Sequence, residues 1–328
     1  LNCNTYGLYN TAIGNSALNC NTTGCNNNAI GRDALGENTT GLQNNAMGYL
    51  ALNQNTTGCN NNAIGFKALC GNTTGNNNQA IGCMALHYSL SGDHNFAAGD
   101  AALFNNWGGC YNSAMGYRAL YSNTTGTDNT ALGQCALYSN TTGCRNNAMG
   151  WMALNQNTTG NYNAAIGFKA LCGNTDGCYN TAIGCMALHT SLSGDHNFAA
   201  GDSALFSNWG GSNNTAIGCK ALYANTTGSY NQAIGKAALW ANTTGEDNTA
   251  MGYYASFYNT TGYGNVAVGR DVLFGNTTGD YNTAIGVYAL KNSLSGDHNF
   301  AAGNYALYSN WGGCHNNALG NNALRCNT

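Results

Sequence analysis

A glycine returns every 17 residues from Gly14 to Gly320, each time closing an Ala-Ile-Gly type step, without one insertion or deletion. A second glycine, ending Asn-Thr-Thr-Gly, keeps the same step from Gly7 to Gly313. Between them an Asn (Asn10, Asn27, Asn44 to Asn316) and an Ala (Ala12, Ala29, Ala46 to Ala318) hold their places in all nineteen copies. A short period kept this strictly leaves little choice of architecture: one small unit is stacked on copies of itself, each covering a face that its neighbour cannot bury alone.

Within a copy, the run Asn-Thr-Ala-Ile-Gly reads as a short strand bounded by turn formers. The Ala-Leu pair (Ala17-Leu18, Ala34-Leu35, Ala51-Leu52) reads as a second, shorter extended piece. Asn-Thr-Thr-Gly supplies the turn, with Gly free to take positive φ and Asn able to bond its own backbone. Two glycines in 17 residues and no 3.6-residue apolar rhythm exclude a stable helix. Proline is absent, as expected where nearly every N–H is bonded to the coil above or below. The expected fold is all-β: a parallel β-solenoid (β-roll) of about 19 coils, one continuous domain over residues 1–328, with a length on the order of 90 Å at the usual strand spacing. Both ends fall in mid-phrase without a capping repeat, which suggests a piece of a longer fibre or a subunit that stacks on identical neighbours.

Residues one period apart should stand directly above one another, so identical side chains form columns. The Ile/Met column (Ile13, Ile30, Met47, Ile64, Ile81) and the Leu column (Leu18, Leu35, Leu52, Leu69) are the expected dry interior. The Asn column is the expected amide ladder, each side chain bonding the next.

A longer period is superimposed. Ser89-Leu90-Ser91-Gly92-Asp93-His94-Asn95-Phe96 returns at Ser191 and Ser293, 102 residues or six coils apart. Leu90 and Trp107, Leu192 and Trp209, and Leu294 and Trp311 take a Thr place of the turn in consecutive coils. Phe96, Phe198 and Phe300 stand two residues before an Ala where Ile is usual. Volume added at one place is removed at the next one on the same side, which reads as compensated packing. These nine residues form the expected self-association patches, since surface aromatics at a fixed axial interval suit a lateral contact between rods. Duplication of a six-coil unit, with these side chains folded onto their own coil, is the alternative origin.

Few constellations carry chemistry. Of fifteen cysteines, Cys3 and Cys20 share a column one coil apart, while Cys20 with Cys25, and Cys172 with Cys178, flank one turn; these are the possible disulfides. No Cys-x-x-Cys marks a zinc or redox site. Asp297 and His298 lie one coil below Cys314 and His315, the one set with metal-ligand chemistry, but earlier copies do not repeat it. Asp93-His94 has no nucleophile recurring with it, and no copy assembles nucleophile, base and oxyanion donors, so neither an enzyme nor a cofactor is implied. Ten scattered Lys and Arg and a net charge of −3 provide no nucleic-acid surface, and no apolar run reaches the ~18 residues of a membrane span. Asn-Thr-Thr also spells the N-glycosylation sequon, at Asn21, Asn38, Asn55, Asn72, Asn123, Asn140, Asn157, Asn225, Asn242, Asn259 and Asn276. Two Thr per turn further open an ice-binding reading, against which the Leu-Trp and Ser-Gly interruptions count.

The phrase Asn-Thr-Ala-Ile-Gly-x-x-Ala-Leu-x-x-Asn-Thr-Thr-Gly-x-x resembles repeats of phage-type tail fibres and related bacterial surface proteins. Its Ala-Ile-Gly core is similar to the head repeats of trimeric autotransporter adhesins. The resemblance implies a left-handed roll, often trimeric, displayed outside the cell or on a virion. The functional expectation is an extracellular structural fibre associating with itself through coil ends and aromatic corners. The alternatives are an adhesin or receptor-binding fibre meeting a surface glycan or receptor, and an ice-binding solenoid.

Overall fold

A computed structural model describes residues 3–327. Strands β1 (Thr11–Ile13), β2 (Asn28–Ile30), β6 (Phe96–Ala98) and their equivalents to β9 (Asn147–Met149) belong to one compact unit, ending at Asn163. A second unit begins at Ala164 and holds β10 (Ala164–Ile166), β12 (Phe198–Ala200), the strands between and beyond them to β18 (Phe300–Ala302), and β20 (Asn317–Leu319). The two-residue strands β19 (Ser309–Asn310) and β21 (Cys326–Asn327) pair with each other.

In both units neighbours pair in parallel at an offset of one period. Thr11, Ala12 and Ile13 lie opposite Asn28, Ala29 and Ile30; Thr181, Ala182 and Ile183 lie opposite Phe198, Ala199 and Ala200. The protein is a parallel β-solenoid of about 19 coils, and no helix occurs among the described residues.

The strands decide which apolar column faces in. Each main strand is three residues long, and alternation lets only its middle residue point inward. That residue is the Ala, fully buried from Ala29 onward. The Ile/Met column lies on the outer face instead: Ile13, Ile30, Met47, Ile64 and Ile81 are 36–59% exposed. The interior is therefore narrow, built from the strand Ala, the Ala-Leu pair and buried Asn, with Leu18 to Leu205 showing no exposure at all.

The Ala-Leu pair is a turn rather than a second extended piece. Leu35 has φ 50°, and Asp33 and Asn26 in neighbouring places have φ 56° and 58°. Left-handed backbone at a non-glycine residue costs about 1–2 kcal/mol, and every coil accepts it. Two gains offset the cost. The Leu side chain is wholly removed from water, worth about 1.5–3 kcal/mol. The backbone also sends the N–H groups on either side of Ala34 in opposite axial directions: Asp33 donates back to Asn15 O (2.8 Å) and Leu35 donates forward to Ala51 O (3.1 Å). At Gly31 (φ 134°) a Cβ would lie 2.5 Å from Gly48 O in the next coil, so coil spacing and glycine identity are tied together.

Candidate functional site

Two asparagine ladders run inside the coils. In the first, Asn27 N–H donates to Asn10 Oδ1 (2.9 Å), and Asn27 Nδ2 donates to Gly41 O (2.8 Å). The expected Asn column is therefore present: the backbone-to-side-chain bond links its rungs along the axis, and many rungs add the amide-to-amide bond, as Asn95 Nδ2 donates to Asn78 Oδ1 and Asn129 Nδ2 to Asn112 Oδ1, both at 3.1 Å. The second ladder is amide to amide and uses the turn Asn: Asn38 Nδ2 donates to Asn21 Oδ1 and Asn55 Nδ2 to Asn38 Oδ1, both at 2.8 Å. Each of these nitrogens also donates to the Gly O of its own turn, as Asn55 does to Gly58 O at 2.9 Å.

The second ladder consists of the sequon residues themselves. Asn21, Asn38, Asn55, Asn72, Asn123, Asn140, Asn157, Asn225, Asn242, Asn259 and Asn276 are all completely buried. The nitrogen that would carry a glycan is enclosed, so the folded coil offers none of them as an acceptor. The first Thr of the turn is likewise engaged along the axis, Thr22 Oγ1 donating to Thr39 O at 3.0 Å.

The cysteines stand as thiols, Cys3, Cys20, Cys25, Cys172 and Cys178 included, and the expected disulfides are not made. In-register stacking holds equivalent Cβ atoms about 4.8 Å apart, wider than the ~3.8 Å typical of a disulfide. Many thiols have another task. A side chain at the place after the turn glycine can accept an N–H from the preceding coil, and sulfur does so: Leu8 N–H to Cys25, Leu42 to Cys59, Asp93 to Cys110 and Thr127 to Cys144, each at 3.3 Å. Asn76, Asp93 and Asp195 accept through Oδ1 in the same column, and Ser212 through Oγ. Thiols of this column also donate within their own turn, Cys25 to Thr23 O and Cys178 to Asp176 O, both at 3.4 Å. Elsewhere, burial pushes the Cys70 and Cys135 thiols up, keeping them protonated.

The Asp297, His298, Cys314, His315 set is brought to matching places but does not converge. Cys314 Sγ accepts Asp297 N–H at 3.3 Å, and the two imidazoles stack with centroids 5.1 Å apart. Among the described residues no group of three or more His, Cys, Asp or Glu side chains is gathered for a metal ion.

The place after the buried Leu carries stacked rings, a column that its mixed composition hides in the sequence. In the first unit His87, Phe104, Tyr121 and Tyr138 follow one another at 5.0–5.2 Å between centroids. In the second, His189, Phe206, Tyr223, Trp240, Phe257 and Phe274 do so at 5.0–5.8 Å, with Lys291 Nζ 5.4 Å from the Phe274 centroid. Burial lowers the pKa of both His87 and His189 below the ordinary imidazole value.

Two of the exposed apolar surfaces suit contact with other molecules. The first is the outward apolar row: Ile13, Ile30, Met47, Ile64 and Ile81 in the first unit, and Ile166, Ile183, Ile217 and Ile285 in the second. Phe96 and Ala98 share this outer face, as do Phe198 and Ala200, so the compensation of volumes takes place outside the core. The second is the corner. Trp107, Trp209 and Trp311 are 55–57% exposed, and Leu90, Leu192 and Leu294 are exposed beside them in sequence order. Around Trp311 the corner deepens into a cleft of about 300 Å³, lined by Tyr258, Phe274, Thr277, Asn292, Leu294 and Trp311. Gly275 opens it, standing in the column of Tyr258 and Asn292 without a side chain. Leu294 and Trp311 thus meet in one site, and Phe300 belongs to the strand face.

No protein-family model, curated protein or solved structure matches the chain. Among the described residues no helix is long and apolar enough to cross a membrane.

Proposed function

We propose that this chain is a structural fibre protein that associates with copies of itself, its outward Ile/Met row acting as a lateral contact alongside the coil ends and Leu-Trp corners expected from the sequence. The observation that carries the reading is the row itself. Five consecutive coils of the first unit each expose an Ile or Met on a regular parallel face, amounting to several hundred Å² of apolar surface, roughly the size at which a patch signals a contact. A fold that needed those side chains for its own core would have turned them inward. Display outside the cell or on a virion belongs to the same proposal and rests on the resemblance of the repeat; surface labelling of intact cells or particles tests it.

The experiment is sedimentation velocity with negative-stain imaging of the wild type and of Ile30→Lys/Ile64→Lys. The wild type is expected to form larger assemblies, and the double variant to remain dispersed with an unchanged melting profile. A wild type that stays monomeric at high concentration would overturn the proposal.

A second reading, the adhesin or receptor-binding fibre, is favoured by the cleft at Trp311, whose aromatic and aliphatic walls with Asn292 and Thr277 suit the face and edge of a sugar ring. Saturation-transfer NMR against a saccharide panel, with Trp311→Ala as control, tests it. The ice-binding reading loses support because the first Thr hydroxyl of the turn is spent on the next coil.

A further inference from the structure

The amide ladder is interrupted at three places 102 residues apart, each time in the same way. Ser89, Ser191 and Ser293 occupy the Asn place, are completely buried, and have hydroxyls without a hydrogen-bond partner. One coil earlier, Asn72 and Asn276 present a buried Oδ1 with no donor. One coil later, Asn106 Nδ2 donates to Gly109 O at 2.7 Å and Asn208 Nδ2 to Gly211 O at 2.7 Å. In a regular rung that nitrogen also donates to the preceding Oδ1, as Asn123 does to Asn106 and Asn225 to Asn208, each at 2.7 Å.

Replacing Asn by Ser removes a carboxamide that donates to one neighbour and accepts from the other. What remains is an acceptor at one end of a gap, an amide donor at the other and a hydroxyl between them. Leaving such groups unpaired in a dry interior is strongly unfavourable. The volume given up is roughly the ~30 Å³ share of one water molecule, and a buried water needs two to four polar partners. We infer that each serine rung is a built site for an ordered water, which donates to the Asn72 type Oδ1, hydrogen-bonds the Ser89 type hydroxyl, and re-links the ladder toward the Asn106 type Nδ2.

The donor at the far end argues for water over a metal cation, which would face an N–H at close range and find only two side-chain oxygens. Backbone bonds continue across the site, Thr73 N–H donating to Leu90 O at 2.9 Å, so the gap keeps its shape.

The test combines a high-resolution crystal structure of the whole chain with thermal midpoints of Ser89→Asn and Ser89→Ala. A solvent peak within hydrogen-bond distance of both Asn72 Oδ1 and Ser89 Oγ, repeated at Ser191 and Ser293, is expected. Ser89→Ala should lower the midpoint, because the water loses a partner, and Ser89→Asn should expel the water and restore the Asn72 to Asn106 amide links. Absence of the peak at all three rungs would overturn the inference. So would a rise in the midpoint for Ser89→Ala, the result of deleting a hydroxyl that bonds nothing, or a peak ringed by five or more oxygens, which is a cation.

Discussion

The coils from Asn21 to Asn72 and those from Ser89 to Trp107 share one backbone and differ in almost every outward residue. In the first stretch each rung reproduces the last: buried Asn, axial Thr, Ile or Met on the outer face. In the second, Asn gives way to Ser, Thr to Leu and Trp, and Ile to Ala beside a Phe. Yet Ala97, Ala102 and Leu103 are as fully buried as their counterparts Ala29, Ala34 and Leu35. Coil geometry is thus set by the inner Ala and Leu and by axial backbone bonds, while outward places are left free to acquire contacts. The buried serine is the one departure that reaches inside.

Variants that treat the two stretches alike should part them most. The largest effect is expected at glycine. Gly65→Val puts side-chain atoms against the Gly82 backbone at a residue with φ 135°, and should cost more than about 4 kcal/mol by hydrogen exchange at that coil. Gly108→Val meets nothing nearer than Ser91 Oγ at 3.9 Å and should change stability by less than about 0.5 kcal/mol. Next comes the ladder: Asn55→Ala orphans Asn38 Oδ1 and one donor of Asn72, and should lower the local opening free energy by about 2–3 kcal/mol.

A smaller, pH-dependent difference concerns the aromatic columns. His189, in the Ser191 coil, stacks on Phe206 with centroids 5.0 Å apart, and burial lowers its pKa from 6.5. The unfolded chain therefore takes up a proton first as pH falls. The contribution of the neutral ring is fully present above pH 6.5 and is lost as pH drops through the lowered folded value. Midpoints of the wild type should decline below pH 6.5 more steeply than those of His189→Phe. The smallest effect on stability, within about 0.5 kcal/mol, is expected for Trp209→Ala, since more than half of that side chain faces solvent; a loss of self-association without a stability change would place the corner in the fibre contact.

Much of this was legible in the period alone. Stacking of Ala12 on Ala29, burial of Leu18 and Leu35, and the existence of asparagine ladders all follow from residues one coil apart being superposed. The side on which Ile30 lies was not legible, because a three-residue strand is too short for alternation to reveal its inner face. Nor was the left-handed Leu35, since Leu carries no turn signal and adopts that backbone only because a narrow interior rewards it. Asn38 reads equally as a glycan acceptor and a ladder rung, and only its burial separates the two. The stacked rings of Phe104, Tyr121 and Tyr138 were visible at the period, in a column whose other members, such as Asn155 and Cys172, hide the pattern.

The inside-out arrangement of the two apolar columns is tested most directly by hydroxyl-radical footprinting of the dispersed protein, read by mass spectrometry at single side chains. Ile30, Ile64 and Ile81 should be oxidised several-fold faster than Leu35, Leu69 and Leu86, which lie only five residues further along the chain. Equal protection of the Ile and Leu columns would mean that both face the core, and would contradict the narrow interior and the exposed row together.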